Sequence, residues 1–242
     1  SVMEPASGRL TGSDTGPGRL PETEDIVSFV MGKKPLSGMT VTVTAGGTRE
    51  PIDQVRFIGN SSSGRMGIDI ASAYRDQGAL VRLIACNIEM PMPLGVEVIR
   101  ASSVAELEQA MESPCDIMVM AAAVSDFRID KPFHGKLPRG EAQTIDLIPT
   151  SDLIANFAAN HSATFCIAFA LVEDGADVEA ASLEKLSTKG VSAVAGNSIS
   201  SLGSESSEIT LVTKLGALKH SGTKIELGKW LVETIYKIMS KV

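Results

Sequence analysis

The residues best placed to do chemistry stand in one stretch, AGGTREPIDQVRFIGNSSSGRMG, at residues 45–67. Gly46 and Gly47 leave the backbone bare at the end of a strand pattern, and Ser61, Ser62, Ser63 and Gly64 come immediately before a helical pattern. Backbone N–H groups gathered there, aided by the helix dipole, suit a phosphate or a carboxylate. Because GGT followed by a long insertion is not GxGxxG, the likeness to a dinucleotide-binding turn is loose. Further along, Lys131, Lys136 and Arg139 collect in one aperiodic segment, and Lys185 and Lys189 lie four apart on one helix face. Read alone, these cations are solvated surface. No Ser–His or Cys–His constellation for covalent catalysis is apparent. Cys86, Cys115 and Cys166 sit in or beside apolar, strand-like runs and read as buried free thiols. His134, His161 and His220 lack metal-ligand spacing.

The elements that must position these residues alternate. MTVTVTA is a β-branched strand, SGRMGIDIASAYRDQGA a helix with apolar residues at helical spacing, and LVRLIAC a second strand. VEVIRA, then SVAELEQAMES with Ser103 and Glu106 spaced as a capping box, then DIMVMAAAV continue the pattern. SDFRIDKPFHGKLPRGEAQ loses periodicity and is expected to be a long exposed loop, of the kind that is usually functional or mobile. Beyond it come strand-like QTIDLI, a short helix SDLIANFAAN capped by Ser151, a buried strand TFCIAFAL and a helix VEAASLEKLSTKG. VSAVAGN, SEITLVTK and the closing helix LGKWLVETIYKIMSKV complete the chain. The expected fold is α/β: a Rossmann-like, doubly wound, mostly parallel sheet, with ligands at the C-terminal ends of its strands. The two later strands could form a separate small ribbon. Residues 1–37 are rich in Gly, Pro, Ser and Thr, only Ile26–Met31 looks weakly helical, and this part reads as a flexible tail before a domain at 38–242.

Composition narrows the function classes. Among 242 residues, 43% are hydrophobic and 21% charged, as in ordinary globular proteins, and the net charge of −7 opposes general binding to nucleic acid. No apolar run approaches a membrane span and no signal core opens the chain, so no membrane association is expected and the cytoplasm is. An anionic substrate must therefore meet a local cationic pocket.

TAGGTREPID, FIGNSSSGRMG and AAAVSDFR resemble the signature segments of phosphopantothenoylcysteine synthetases (phosphopantothenate–cysteine ligases), the second half of the bacterial bifunctional coenzyme A biosynthesis protein. The resemblance covers residues 38–242. It implies that the carboxylate of 4′-phosphopantothenate is activated by CTP as an acyl nucleotide and then joined to the amine of L-cysteine. On this resemblance Asn60 holds the acyl intermediate and Lys136, ten residues after Asp126, binds phosphate. Asp126 contacts the ribose or a Mg²⁺ ion, Phe169 lies against the nucleobase, and Lys185 and Lys189 approach the triphosphate. Gly46, Gly47, Ser62, Ser63, Gly64, Ala122, Ser151, Asp152, Leu153 and Ile154 complete the nucleotide site. A homodimer through strands near the site is implied. GSDTGPGRLPETEDIV resembles the end of the flavin-dependent decarboxylase that precedes the synthetase, so fusion or association with one is implied. Gly12 stands where that family segment carries a cysteine, so neither flavin nor decarboxylation is expected of this chain.

The departures fall in the nucleotide pocket. The family's K-x-K-K is Lys136-Leu137-Pro138-Arg139 here, its N-P-D-I is Thr150-Ser151-Asp152-Leu153, and its A-N-D is Gly196-Asn197-Ser198. They leave open an ATP-using ligase or a non-catalytic nucleotide-binding module. A nicotinamide-dependent reductase would share the sheet but lacks GxGxxG and the acidic residue about 20 positions later.

Overall fold

The computed structural model describes residues 5–9, 15–23, 26, 32, 34–140 and 143–240. Two strands, β1 (Ala6–Arg9) and β2 (Thr15–Arg19), pair antiparallel near the N-terminus. Gly12 lies outside the described residues, as does the expected helix at 26–31 apart from Ile26, which is helical.

Thr40–Gly46 forms β3, buried at all but its first residue, the pattern of a strand covered on both faces. A short antiparallel hairpin, β4 (Arg49–Pro51) and β5 (Phe57–Gly59), interrupts the chain before helix α1 (Arg65–Asp76). Three-residue strands flanking a proline carry no legible periodicity, which is why the sequence showed only an insertion here. Then follow β6 (Leu80–Cys86), β7 (Glu97–Ala101), α2 (Val104–Met111) and β8 (Ile117–Met120). The loop after β8 holds a small strand β9 (Phe127–Ile129), paired with β10 (Leu147–Pro149), so the expected loop is partly a hairpin. The rest is α3 (Leu153–Asn160), β11 (Phe165–Val172), α4 (Val178–Lys189), β12 (Ala193–Ser198), β13 (Ser206–Thr213), β14 (Gly216–Thr223) and α5 (Lys224–Met239).

Eight strands make one sheet in the order β14-β13-β12-β11-β8-β3-β6-β7, parallel from β12 to β7 and antiparallel at β13 and β14. The expected ribbon is thus the antiparallel edge of the main sheet, held to it by the β12–β13 ladder, and does not stand apart. Alternate residues feed two cores. On one face α1 and α5 cover Val43, Leu83 and Ile167 with Tyr74, Leu227 and Leu231; on the other, α2, α3 and α4 bring Leu107, Phe157 and Leu186 against Ile84 and Met118. Each such buried side chain contributes roughly 1.5–3 kcal/mol of transfer free energy.

Caps refine the expected boundaries. Ser103 caps α2 by accepting from Glu106 N, but the Glu106 carboxylate reaches Ser102 N at 2.7 Å, one residue before the expected partner. Helix α3 is capped by Asp152 and not by Ser151, because the longer carboxylate accepts from Ala155 N at 3.2 Å. The three cysteines are buried free thiols, and burial pushes Cys86 and Cys166 up to about 12, which leaves them inert at neutral pH. No helix among the described residues is long and apolar enough to cross a membrane.

Candidate functional site

Strand β3 ends on Gly46 and Gly47 because no side chain fits there. Gly46 has a left-handed φ of 87°, and a Cβ on it would run into the Cys86 carbonyl; a Cβ on Gly47 would run into the Asn60 carbonyl. The bare turn lets the segment carrying Asn60 lie directly on the strand end. Gly47 N donates to Cys86 O at 3.1 Å and Ala123 N to Gly46 O at 2.7 Å, which binds the turn to β6 and to the end of β8. Asn87, itself at a positive φ of 50°, donates from Nδ2 to Gly47 O and to Ser102 O, both at 2.9 Å. One amide side chain thereby ties the ends of β3, β6 and β7.

Above the turn is an open cavity of about 310 Å³ lined by Gly47, Arg49, Phe57, Asn60, Ser62 and Asn87, among others. Its volume is that of a small-molecule site. Asn60 donates from Nδ2 to Val124 O at 2.8 Å, joining the serine-rich segment to the loop after β8. Gly64, at φ 78°, is the N-cap of α1 and supplies no side chain. The Gly64 and Arg65 N–H groups reach Ser62 Oγ and Ser63 Oγ only at 3.4 Å, weak bonds with which an anion can compete. Arg49, half-buried with its guanidinium carbon 4.4 Å from the Phe57 ring centre, supplies the positive charge in this lining.

A second group of expected residues gathers at the C-terminal end of β11. Lys185 reaches back from α4 to donate to Phe169 O at 2.7 Å, and Lys189 pairs with Asp152 at 2.7 Å. Burial, then the neighbouring Lys189, holds Lys185 below its ordinary value, against the opposing pull of Asp152 and Asp126. Four charges, two of each sign, thus feel one another at Lys185. Asp126 has an exposed side chain, and its backbone carbonyl accepts from Thr150 N at 2.9 Å. Ser151 is exposed beside Asp152. Leu153 and Ile154 are each only 4% exposed and belong to the core, so a ligand could meet their backbone but not their side chains. Ala122 N donates to Thr44 Oγ1 at 3.1 Å.

Lys136 and Arg139 belong to neither group by direct contact. Both are exposed, with no partner among the described residues. The backbone beside Lys136 is held, however: Gln54 N donates to Gly135 O at 3.1 Å, and Leu137 N to Asp53 Oδ2 at 3.0 Å. Sequence reasoning missed Arg49, Asp53, Phe57 and Asn87. Asn87 had a signal, since it directly follows a strand of the parallel sheet, where ligands sit.

Among the described residues no three His, Cys, Asp or Glu side chains cluster as metal ligands. Asp152 is engaged by Lys189 and by its own helix, which leaves Asp126 as the carboxylate of this group with no hydrogen bond or ion pair among the described residues. A single carboxylate fits Mg²⁺ held chiefly by substrate phosphates and water, not by a protein cage.

Residues 36–239 match the family described as the DNA/pantothenate metabolism flavoprotein C-terminal domain. The coenzyme A biosynthesis bifunctional protein CoaBC of Mycolicibacterium smegmatis is 44% identical over 168 residues, covering 64% of this chain and 41% of that protein. A cysteine/cysteine sulfinic acid decarboxylase from an unknown prokaryotic organism is 35% identical over 259 aligned positions, covering 100% of this chain and 71% of that protein. The crystal structure of the C-terminal domain of a CoaBC protein superposes with a TM-score of 0.73 at 26% identity, covering 86% of this chain and 100% of that domain. The chain therefore spans about two fifths of the length of the CoaBC relative, 41%.

Proposed function

Because the chain belongs to the family of DNA/pantothenate metabolism flavoprotein C-terminal domains, we propose that it is a phosphopantothenate–cysteine ligase acting in coenzyme A biosynthesis. Residues 38–242 are the ligase domain, and residues 1–37 are the end of a preceding decarboxylase segment. The observation that carries this reading is Asn60, which lines the cavity beside the Gly47 turn and whose amide reaches the loop after β8. A neutral donor there suits an acyl oxygen on which charge builds and subsides.

In the first step a carboxylate oxygen of 4′-phosphopantothenate attacks the α-phosphorus of CTP, and pyrophosphate leaves. In the second the cysteine amine attacks the acyl carbon, CMP leaves, and the amine's surplus proton passes to solvent. Lys136 neutralises charge on the triphosphate as the first step proceeds, while Lys185, Lys189 and the N–H groups at Ser62–Gly64 hold the nucleotide. Phe169 backs the nucleobase. Asp126 would hold Mg²⁺, whose chemistry is to offset charge on the triphosphate oxygens. The chain's own contribution is positioning and charge stabilisation, with no covalent enzyme intermediate. The reading includes a homodimer, fusion or association with a flavin decarboxylase, and residence in the cytoplasm.

Pyrophosphate release decides the matter. It is expected only when CTP and 4′-phosphopantothenate are both present, with product appearing once cysteine is added. Faster release with ATP would reassign the nucleotide. Thermal stabilisation by CTP without any release would reduce the protein to a binding module.

A further inference from the structure

Asp53 spends its carboxylate in two directions. It lies in the turn between β4 and β5, and its side chain is 0% exposed. Oδ1 accepts from Val55 N and Arg56 N, both at 2.7 Å, which shapes the turn itself. Oδ2 accepts from Arg56 Nη1 at 2.9 Å and from Leu137 N at 3.0 Å, a residue 84 positions along the chain. Arg56 also donates from Nη2 to Leu137 O at 3.2 Å, so both polar groups of Leu137 are gripped. On the other side of Lys136, Gln54 N holds Gly135 O at 3.1 Å, and Phe133 N donates to Ile52 O at 2.8 Å.

Lys136 is thus pinned in backbone before and after, while its exposed amine has no partner among the described residues. A turn alone would need only Oδ1. We propose that Asp53 is a positioning residue, a latch that fixes the Lys136 segment on the β4–β5 hairpin and so presets where the Lys136 amine meets an anionic ligand. The Asp53 carboxylate is the side-chain acceptor between the two segments, added to the backbone bonds of Gln54 and Ile52, and the Arg56 guanidinium closes the grip from the other side. Its consequence for catalysis rests on the ligase reading; the latch itself does not.

Asp53→Asn separates the two tasks. Its amide oxygen can keep the Val55 and Arg56 N–H groups, but its NH₂ then faces the Leu137 N–H and the Arg56 guanidinium, all donors. Trypsin reads the result without substrate, because Lys136–Leu137 is a cleavable bond at the latched residue. Cleavage there is expected to rise about tenfold or more in Asp53→Asn, as the population of the open segment sets the rate. Cleavage at Lys214–Leu215, in the exposed β13–β14 turn, should stay unchanged. Equal cleavage at Lys136–Leu137 in wild type and variant would overturn the latch. If cleavage rises at both bonds, amide exchange in the wild-type protein decides: Leu137 N–H must exchange at least tenfold slower than Gly140 N–H, and equal rates overturn the proposal. In the pyrophosphate assay Asp53→Asn should lower turnover at saturating CTP about tenfold or more, with a smaller change in the Michaelis constant. A wild-type protein that releases no pyrophosphate would defeat the ligase reading and leave the cleavage and exchange results to judge the latch.

Discussion

The amide of Asn60 donates to the carbonyl of Val124 at 2.8 Å, across 64 residues of sequence. That bond joins the segment before α1 to the loop after β8, the two segments that in a doubly wound sheet flank a ligand at neighbouring strand ends. It also fixes the amide's orientation, since a carbonyl partner selects Nδ2 on that side and turns Oδ1 away.

Replacing Asn60 with Asp sets a carboxylate against the Val124 carbonyl and removes a neutral donor from the cavity. The side chain is exposed, so the fold should survive with little change in melting temperature. Turnover should fall by roughly 10²-fold or more, the scale for losing one oxyanion-type donor. Pyrophosphate release at saturating substrates is the readout. Turnover within a factor of two of wild type would remove Asn60 from the chemistry.

Gly196 and Ser182 form a stability pair. A Cβ on Gly196 would press on Ser182 Oγ and on Val178, and that hydroxyl is buried without a hydrogen-bond partner among the described residues. Gly196→Ala should therefore cost about 1–3 kcal/mol, as overpacking does. Ser182→Ala should be neutral or stabilising, because it removes an unsatisfied buried group. The double variant should recover most of the loss. Urea unfolding of all four proteins tests this, and strictly additive single effects would show that the pair does not touch as described.

The parallel sheet was legible because its strands are long apolar runs separated by helices with clear periodicity, as in Val41–Ala45 and Leu80–Cys86. The β4–β5 hairpin and strand β9 were not, since three residues cannot display an alternation and β9 pairs with a strand distant in sequence, whereas the strand-like QTIDLI overlaps β10 at Leu147 and Ile148. Asn60 and Lys136 were assigned roles through segment resemblance, which reports residue identity, whereas Gly47 was singled out by its own residue type at the end of a strand pattern. Asp53 escaped notice because its role lies in a bond to a backbone N–H 84 residues away, and a backbone partner leaves no residue-type signal at Leu137.

Acid should open the Asp53 latch. Burial pushes the Asp53 carboxyl up, but the N–H groups of Val55, Leu137 and Arg56 and the Arg56 guanidinium outweigh it and hold the group below 3.8, its ordinary value. A folded-state value below the unfolded one means that the unfolded chain binds the proton first. The stabilisation is therefore full above the unfolded value and is lost as pH falls through the folded one. The stability gap between wild type and Asp53→Asn, measured by urea unfolding, should be constant above about pH 5 and should narrow below 3.8. A gap that widens in acid would reverse the sign and refute the assignment.

Lys136 and Arg139 should differ in what they do for a triphosphate. Lys136 is held in backbone on both sides by Gln54 and Asp53, so its amine starts from a fixed point. Arg139 lies beyond Pro138, and its N–H, like its guanidinium, has no partner among the described residues. A preset point charge suits charge that develops as the α-phosphorus is attacked, so Lys136→Gln should lower turnover far more than it weakens nucleotide binding. A planar guanidinium on a freer tether can clamp two phosphate oxygens in ground and transition state alike, so Arg139→Gln should mostly raise the Michaelis constant for CTP. Pyrophosphate release over a range of CTP concentrations separates the two. If Lys136→Gln changes only the Michaelis constant, or Arg139→Gln abolishes turnover at saturating CTP, the roles are exchanged. Arg139 would then carry the transition-state charge, and the latched lysine would serve only to capture the nucleotide.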